Sequence, residues 1–497
     1  MHGVRRNVLA NFAGQAWASL IGVAFAPLYI RWMGLEAFGI VGFYLTIQAI
    51  ASLFDLGLPG TLTRELARAG KGESDRVRDL LRTAESVYLP VGLLLGSVLA
   101  LASPWIAGAW LHPVSLSAAQ TSSALQWMAL ALVCQWPSYL YTAGLNGLQR
   151  QVLSNALSIT FATLRGAGVL VPMLWIGPTL PTFFGWMAAV GSLQTLAGAI
   201  ALWRAMPRGT QAPRPRLSHL LSVRSFLADL AGISVLTFLL MQSDRIILSR
   251  LVPLDRFGAY ILASTTAIVL ARAIQPWFAA IYPRLSQLHA AQDIAGLSST
   301  YHRASQWGAL TVLPLAAALI FHARPLLEIW TREPGLASQA AGPFAMFVAG
   351  YALNGVMTVP YALQLACGWS RLALQVNIVS VLLVIPSIFL LYNRFGLTGA
   401  ASTWTFLNIG YVLVTIPLMH RRILRGEMMR WYRDVIALPL TACAAVWIAA
   451  SFFPAVVPNL SGLPDIALTY LAFLAACALA TPEPRAALLA LARRIAS

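Results

Sequence analysis

Charged side chains inside apolar segments are the residues of this sequence with the clearest capacity for chemistry. Arg165 lies within SITFATLRGAGVLVP, Arg272 within AIVLARAIQPWF, and Arg245 follows Asp244 within LLMQSDRIILS. On insertion scales, an arginine at the centre of a bilayer costs about 2.5–3.5 kcal/mol unless it meets a partner or water. Three such arginines are too costly to keep without a role, so they are candidate site residues.

The sign of these charges favours an anionic ligand. No carboxylate is adjacent in sequence to Arg165 or Arg272. Asp244, by contrast, is a local partner for Arg245 or for Arg31. A guanidinium donates several hydrogen bonds to phosphate oxygens in a fixed geometry. Arg165, Arg272 and Arg245 are therefore predicted to bind a phosphate or pyrophosphate headgroup, although the neighbour of Arg245 also favours a salt bridge. The open alternative is that the arginines tie helices together through distant carboxylates or backbone carbonyls.

A carboxylate also interrupts the stretch SLFDLGLPGTLTRELARA at residues 52–69. Gly57 and Pro59 follow Asp55 and predict a broken helix, whose irregular backbone should line protein or a cavity instead of lipid. Asp55 is expected close to the cytoplasmic end of a span. It is either an anchor at a cytoplasmic gate, with Arg64 as a partner, or a proton-coupling site. Arg31 and Asp244 join this gate or coupling set.

Uncharged polar residues in or near the apolar segments give a softer signal. They are Asn11, Gln15, Gln48, Gln135, Asn155, Gln242, Gln275, Asn354, Gln364 and Asn408. Such groups bind sugar hydroxyls or bridge helices, and the sequence does not choose between the two roles.

The sequence lacks the signatures of an enzyme or a metal protein. It contains no GxxxxGK[ST], HExxH or GxSxG motif, and its four cysteines are far apart. No catalytic residue, cofactor or metal site is therefore expected. The net charge of +17 is compatible with nucleic-acid binding. The basic residues, however, lie in loops between apolar segments, where membrane orientation explains them better.

The elements that carry these residues are predicted to be membrane-spanning helices. The chain has 497 residues, of which 58% are hydrophobic and 10% charged, against about a quarter charged in soluble domains. Apolar stretches of about 20 residues, long enough to cross a bilayer as helices, recur throughout. We expect an all-α polytopic membrane protein with about 14 spans. Lys and Arg collect in alternate loops, which predicts cytoplasmic N- and C-termini.

Two parts of the sequence resemble each other. IRWMGLEAFGIVGFY follows the first predicted span and LSRLVPLDRFGAYIL the seventh, with matching residues 219 positions apart. Six spans per half make the halves parallel repeats, which predicts two pseudo-symmetric six-helix lobes around a central cavity. The predicted parts are an N-terminal lobe (1–206), a basic cytoplasmic linker (207–224), a second lobe (225–420), and two further helices with a basic tail (421–497). A chance match of short loop signals is the alternative.

Residues 31–67 carry a family resemblance. Their motif comprises Arg31, Gly34, Phe38-Gly39, DLGL at 55–58 and Arg64, and SDRIILSRLVPLDRFGAYILAS resembles the matching seventh-span motif. The sequence resembles polysaccharide and O-antigen flippases of the Wzx-like group, in the multidrug/oligosaccharidyl-lipid/polysaccharide exporter superfamily. The resemblance implies translocation of a polyprenyl-pyrophosphate-linked oligosaccharide across the bacterial inner membrane by alternating access. It also implies membrane lipids and polysaccharide polymerase or glycosyltransferase machinery as partners.

Three other functions stay open. A Na⁺- or H⁺-coupled multidrug exporter of the same superfamily would need cation-binding carboxylates, and the arginine surplus counts against it. A lipid II flippase fits fourteen spans, but the motifs expected of that group are not evident. A non-transporting scaffold of a polysaccharide assembly complex is favoured only if replacing the deep arginines has no effect.

Overall fold

The chain folds as a helical membrane protein. The computed structural model describes residues 14, 17, 20–55, 57–69, 73–216, 218, 224–452 and 462–496. These residues form helices joined by turns, and none of them is in a strand. Within the described residues, ten helical stretches are long and apolar enough to cross a membrane. The predicted all-α polytopic class is confirmed, whereas the count of fourteen spans is not.

The chain packs as two compact units, Met1–Ile261 and Leu262–Ser497. The described helices of the first unit are α1 (Ala26–Met33), α2 (Leu35–Ser52), α3 (Leu58–Arg68), α4 (Ser74–Trp105), α5 (Ala118–Gln135), α6 (Pro137–Gly147), α7 (Gln151–Gly166), α8 (Leu170–Trp175), α9 (Leu180–Ala205) and α10 (Arg224–Leu251). Helix α11 (Leu254–Ala290) begins in this unit and ends in the second. The predicted lobe and linker boundaries stay a prediction.

The second unit continues with a further series of helices. They are α12 (Ile294–Phe321), α13 (Ala323–Thr331), α14 (Pro334–Val356), α15 (Thr358–Ala366), α16 (Ser370–Gly410), α17 (Ile416–Arg422), α18 (Met428–Trp431), α19 (Leu438–Phe452), α20 (Leu463–Ala480) and α21 (Pro482–Ala496). The long α16 bends at Gly396, which lies at φ 59°. Glycine reaches this conformation without the steric cost of a side chain.

The helix break predicted after Asp55 is confirmed. A 3₁₀ turn covers Leu53–Asp55, Gly57 adopts φ 71°, and α3 begins at the next residue. Pro59 lies in the first turn of α3, where its missing N–H costs no helical hydrogen bond. The candidate membrane span that contains Asp55 covers Leu35–Asp55, and α3 is a separate helix beyond the break. Asp55 therefore lies at one end of a span, as expected, whereas its place on the cytoplasmic side stays a prediction.

The internal repeat is visible in the helix boundaries. Leu35 and Leu254, which are 219 residues apart, both begin helices. Gln149 and Gly368 have the same spacing, and both adopt the left-handed conformation, at φ 57° and 71°. These positions share backbone features, whereas the two-lobe repeat itself stays a prediction.

The two copies of the Phe-Gly motif pack against each other within the first unit. A Cβ atom on Gly39 would lie 2.3 Å from the carbonyl oxygen of Leu254. A Cβ atom on Gly258 would lie 2.5 Å from the carbonyl oxygen of Leu35. These reciprocal contacts require glycine, since any side chain would separate the crossing helices. The two Phe-Gly motifs thus lie where α2 and α11 cross closely.

Part of the predicted basic linker lies in order along α4. Asp75, Asp79 and Thr83 are spaced four residues apart and share one face of this helix. Three linker amides donate to them at 2.8 Å: Thr210 to Asp75, Arg214 to Asp79 and Arg216 to Thr83. Residues 210–216 are therefore fastened to the first unit.

The segment between α4 and α5 contacts the starts of α2 and α11. The buried carboxylate of Glu36 accepts the backbone N–H groups of Val114 at 2.6 Å and Ser115 at 2.8 Å, and also the Ser115 hydroxyl. The Leu254 N–H donates to the carbonyl oxygen of His112 at 3.1 Å. Glu36, a residue of the sequence motif, thus holds the loop that joins α4 to α5.

Candidate functional site

A set of polar side chains from six helices of the first unit forms the candidate site, called here the polar cluster. Its members are Tyr44 and Gln48 of α2, Asp55 after α2, Tyr88 of α4, Gln135 of α5, Tyr139 of α6, Arg165 of α7 and Gln194 of α9. Most of them lie inside helices that are long and apolar enough to span a membrane. Polar groups in such positions are functional candidates because their burial in lipid is costly.

Gln135 is the centre of the hydrogen-bond network in the polar cluster. It is the last residue of α5, and Pro137 begins α6 immediately beyond it. The buried Oε1 of Gln135 accepts hydrogen bonds from Tyr44 Oη at 3.3 Å and from Gln48 Nε2 at 3.2 Å. Its Nε2 donates to Tyr139 Oη at 3.5 Å. This amide therefore links side chains of three helices.

Arg165 has a neutral partner. Its half-buried guanidinium donates a hydrogen bond to Oε1 of Gln194 and interacts electrostatically with the Tyr44 and Tyr139 hydroxyls. None of the ion pairs among the described residues includes Arg165. Its positive charge is thus held by amide and phenol groups and not neutralised by a carboxylate salt bridge.

Asp55 has a buried hydrogen-bond donor. The Tyr88 hydroxyl donates to Oδ1 of Asp55, and the fully buried Tyr88 ring stacks on Trp136 with 4.9 Å between centroids. Asp55 also acts electrostatically on Tyr139. Tyr88 is a donor that the sequence did not predict, and it gives Asp55 the contact of an anchor. Arg64, the predicted partner, lies half-buried on α3.

Tyr139 is the most exposed member of the polar cluster, at 44%. Arg165 and Asp55 both act electrostatically on this tyrosine, and they form no ion pair with each other within the described part of the chain. The arrangement combines a guanidinium for an anion with amides and phenols for hydroxyl groups. Such a site can bind an anionic, hydroxyl-rich ligand.

The remaining predicted site residues lie on other elements. Asp244, on α10, accepts a hydrogen bond from the buried Tyr260 hydroxyl of α11 at 2.6 Å. Arg245 follows it on the same helix and is half-buried. Arg31 is exposed in the last turn of α1. Arg272 is exposed on α11, in the part of that helix that belongs to the second unit.

The repeat carries an amide but no charge at the corresponding places of the second unit. Asn354 lies 219 residues after Gln135, and its Nδ2 donates to Oδ1 of Asn408 at 2.9 Å. This pair bridges α14 and α16. The residue 219 positions after Arg165 is Val384. The charged site is therefore not duplicated at these positions.

Sequence reasoning missed four members of the polar cluster: Tyr44, Tyr88, Tyr139 and Gln194. Neutral polar residues are scattered through many spans, and nothing in their local spacing marks these four. The one available signal was the helix break at Trp136-Pro137, which brings Gln135 and Tyr139 to adjoining helix ends. Asn11, Gln15 and Gln275 lie outside the residues whose side chains are described.

The sequence matches a known family over more than half its length. The model of the polysaccharide biosynthesis protein family matches residues 4–289, and that of the MatE family matches residues 230–390. A putative O-antigen transporter of Shigella flexneri is 20% identical over 405 residues, which cover 80% of this chain and 94% of that protein.

Solved structures of membrane transporters share the fold. The lipid II flippase MurJ in its inward closed conformation has a TM-score of 0.69 at 10% identity, and the match covers 95% of this chain and 96% of MurJ. A mutant of the Vibrio cholerae MATE transporter VcmN has a TM-score of 0.59 at 16% identity, covering 86% and 99%. At these identities the likeness concerns the fold alone.

Proposed function

The chain belongs to the polysaccharide biosynthesis protein family, and from that membership we propose that it moves a polyprenyl-pyrophosphate-linked oligosaccharide from the cytoplasmic to the outer leaflet. It is a multi-pass flippase or transporter of the multidrug/oligosaccharidyl-lipid/polysaccharide exporter superfamily. The proposal extends this to alternating access in a bacterial inner membrane, with both termini cytoplasmic. The product would supply surface polysaccharide synthesis, next to the polymerase or glycosyltransferase machinery.

The observation that carries the proposal is the neutral environment of Arg165. Its guanidinium contacts the Gln194 amide, and no described ion pair neutralises it. A charge within an apolar helix is costly unless it meets a partner or water, and an anionic substrate can be such a partner. A transported pyrophosphate would supply a negative charge beside Arg165. It would also match the hydrogen-bonding geometry of a guanidinium.

The rest of the polar cluster fits the remainder of such a substrate. The Gln48 and Gln135 amides and the Tyr139 hydroxyl are donors and acceptors suited to sugar hydroxyls. We assign Arg272 and Arg245 to further contacts with the anionic group. Asp55, Arg64, Arg31 and Asp244 form the proposed gate or coupling set. The Tyr88 hydrogen bond supports an anchoring role for Asp55 within it.

A Na⁺- or H⁺-coupled multidrug exporter is the second candidate. The MatE family match over residues 230–390 favours it. Asp55, a partly buried carboxylate in the first unit, is the residue that would carry coupling in that case. An Asp55→Asn variant that retains full transport excludes obligatory proton coupling at this position.

The test replaces Arg165 in a host that depends on this protein for surface polysaccharide. Arg165→Gln removes the charge, and Arg165→Lys keeps it. Charge-assisted hydrogen bonds contribute about 1.5–3 kcal/mol, so Arg165→Gln should lower glycan output about 10-fold or more. Arg165→Lys should retain part of the output because it preserves the charge. Arg394→Gln, at an exposed arginine outside the cluster, is the matched control and should behave as wild type.

Two readouts separate the candidates. Membrane levels of each variant are measured by immunoblot, and surface glycan is measured per molecule of protein. Wild-type glycan output from Arg165→Gln would refute the pyrophosphate role of this residue. Drug resistance conferred by the wild-type protein, without any effect on glycan, would favour the multidrug exporter.

A further inference from the structure

A groove of about 900 Å³ opens on the first unit between α7 and α9, away from the hydrogen bonds of the polar cluster. Its lining includes two arginines, Arg150 before α7 and Arg204 near the end of α9. Val152, Leu153 and Ile200 form apolar parts of its walls. The volume falls within the range of about 300–1,000 Å³ that is typical of ligand pockets.

The charges that line this groove are all positive. Arg150 and Arg204 are its charged lining residues, no carboxylate lines it, and both arginines are exposed. Neither arginine side chain takes part in a hydrogen bond or ion pair found among the described residues. The backbone places Arg150 firmly, since its N–H donates to the Leu145 carbonyl oxygen at 2.9 Å. The groove therefore presents two uncompensated guanidinium groups.

Apolar side chains continue from the arginines along the helices. Val152, Leu153 and Ile200 are each at least 40% exposed, and the exposed Leu196 and Leu193 extend the apolar surface along α9. From Arg204 to Leu193 a helix rises about 16 Å. The hydrocarbon core of a bilayer is about 30 Å thick, so this length is about that of one leaflet.

We propose that this groove binds an anionic phospholipid of the surrounding membrane. The phosphate lies between Arg150 and Arg204, which donate hydrogen bonds to its oxygens, and an acyl chain follows the apolar walls of α7 and α9. Positive charge at one end of a leaflet-long apolar surface matches the charge and length of such a lipid. An oligosaccharide would need many more donors and acceptors than Gln149, the remaining polar lining residue, provides.

The experiment measures retained lipid on the purified full-length protein. The protein is reconstituted into phosphatidylcholine vesicles that contain about 20% phosphatidylglycerol, an anionic lipid. It is then extracted in mild detergent. Bound lipid is quantified by mass spectrometry. Wild type should be enriched in phosphatidylglycerol relative to the vesicles, and the double variant Arg150→Gln/Arg204→Gln should lose that enrichment at least 10-fold.

Three further variants keep the result interpretable. Arg150→Lys/Arg204→Lys should retain much of the enrichment because it keeps both charges. Ala201→Trp fills the groove without altering charge, so it should also release the lipid. The matched control Arg332→Gln/Arg394→Gln should behave as wild type.

Certain outcomes overturn the proposal. Unchanged enrichment in both the double glutamine variant and Ala201→Trp would show that the lipid does not bind in this groove. Equal retention of phosphatidylcholine and phosphatidylglycerol by wild type would exclude an anionic headgroup site. A polyprenyl diphosphate recovered from the protein isolated from cells, and lost on Ala201→Trp substitution, would assign the groove to the transported substrate instead.

Discussion

Removing the carboxylate of Glu36 should release the loop between α4 and α5. Glu36 is buried, and it accepts three backbone N–H groups, at 2.6 Å from Val114, 2.8 Å from Ser115 and 3.4 Å from Leu116, in addition to the Ser115 hydroxyl. In Glu36→Ala, these backbone donors lose their acceptor. In Glu36→Gln, an amide oxygen remains but the negative charge is lost.

The expected cost follows from the two shorter backbone contacts, those of Val114 and Ser115. A buried donor left without a partner costs about 1–3 kcal/mol, so Glu36→Ala should cost about 2–6 kcal/mol before the loop relaxes toward water. We expect about 3 kcal/mol after relaxation, since the loop lies at the surface and water can replace part of the lost contact. At about 2–4 °C per kcal/mol for domains of 150–250 residues, Tm should fall by about 6–12 °C.

Thermal unfolding of the detergent-solubilised protein, followed by tryptophan fluorescence, measures this shift. Glu36→Gln should lower Tm by less than Glu36→Ala. Ser115→Ala is the matched control, because it removes one hydroxyl donor and leaves the backbone contacts in place. Maleimide labelling of a Val114→Cys variant reports loop release directly, and it should be faster when combined with Glu36→Ala. A Tm for Glu36→Ala within about 1 °C of wild type would refute this account of the loop.

Two further predictions concern other contacts. Gly39→Ala should lower both Tm and expression, because its Cβ would lie 2.3 Å from the Leu254 carbonyl oxygen. Gly22→Ala is the control and should leave both unchanged, because a Cβ there meets nothing within 4 Å. Equal Tm values for the two variants would contradict the close crossing. Burial raises the pKa of Glu427, but the Ser298 hydroxyl and the charges of His302 and Arg430 outweigh it and hold this pKa below its ordinary 4.5. The stabilisation of the folded state by this carboxylate is present at neutral pH and is lost as the pH falls below 4.5 through the folded-state pKa. Glu427→Gln should therefore flatten the acid part of a curve of Tm against pH. An unchanged slope of that curve below pH 4.5 would contradict the contacts of Glu427.

The helices and the charged members of the site could be predicted from the sequence. Apolar stretches of membrane-spanning length report helices directly, because a span in lipid must satisfy its own backbone. Arg165 and Asp55 were found for the same reason, since a charge stands out in such a stretch. Their partners could not be found: Gln194 lies 29 residues from Arg165, and Tyr88 lies 33 residues from Asp55. Tertiary packing of separate helices, and not local spacing, creates both contacts.

The segment after Asp55 shows where average hydropathy is a poor guide. Arg64 and Glu65 lower the local hydropathy and suggest that no helix packs there. A separate helix, α3, nevertheless covers Leu58–Arg68, because Leu58, Leu62 and Leu66 recur every four residues and are buried on one face. An amphipathic segment packed against protein needs only one apolar face, so average hydropathy underestimates its length.

The reciprocal crossing of Gly39 and Gly258 ties together the two similar segments of the sequence. Each glycine leaves room for the backbone at the start of the other copy. A side chain gained at either position would push apart the same pair of helices, so the two substitutions should be non-additive in a double-mutant cycle. At this crossing each copy is the other's environment, so neither can drift alone.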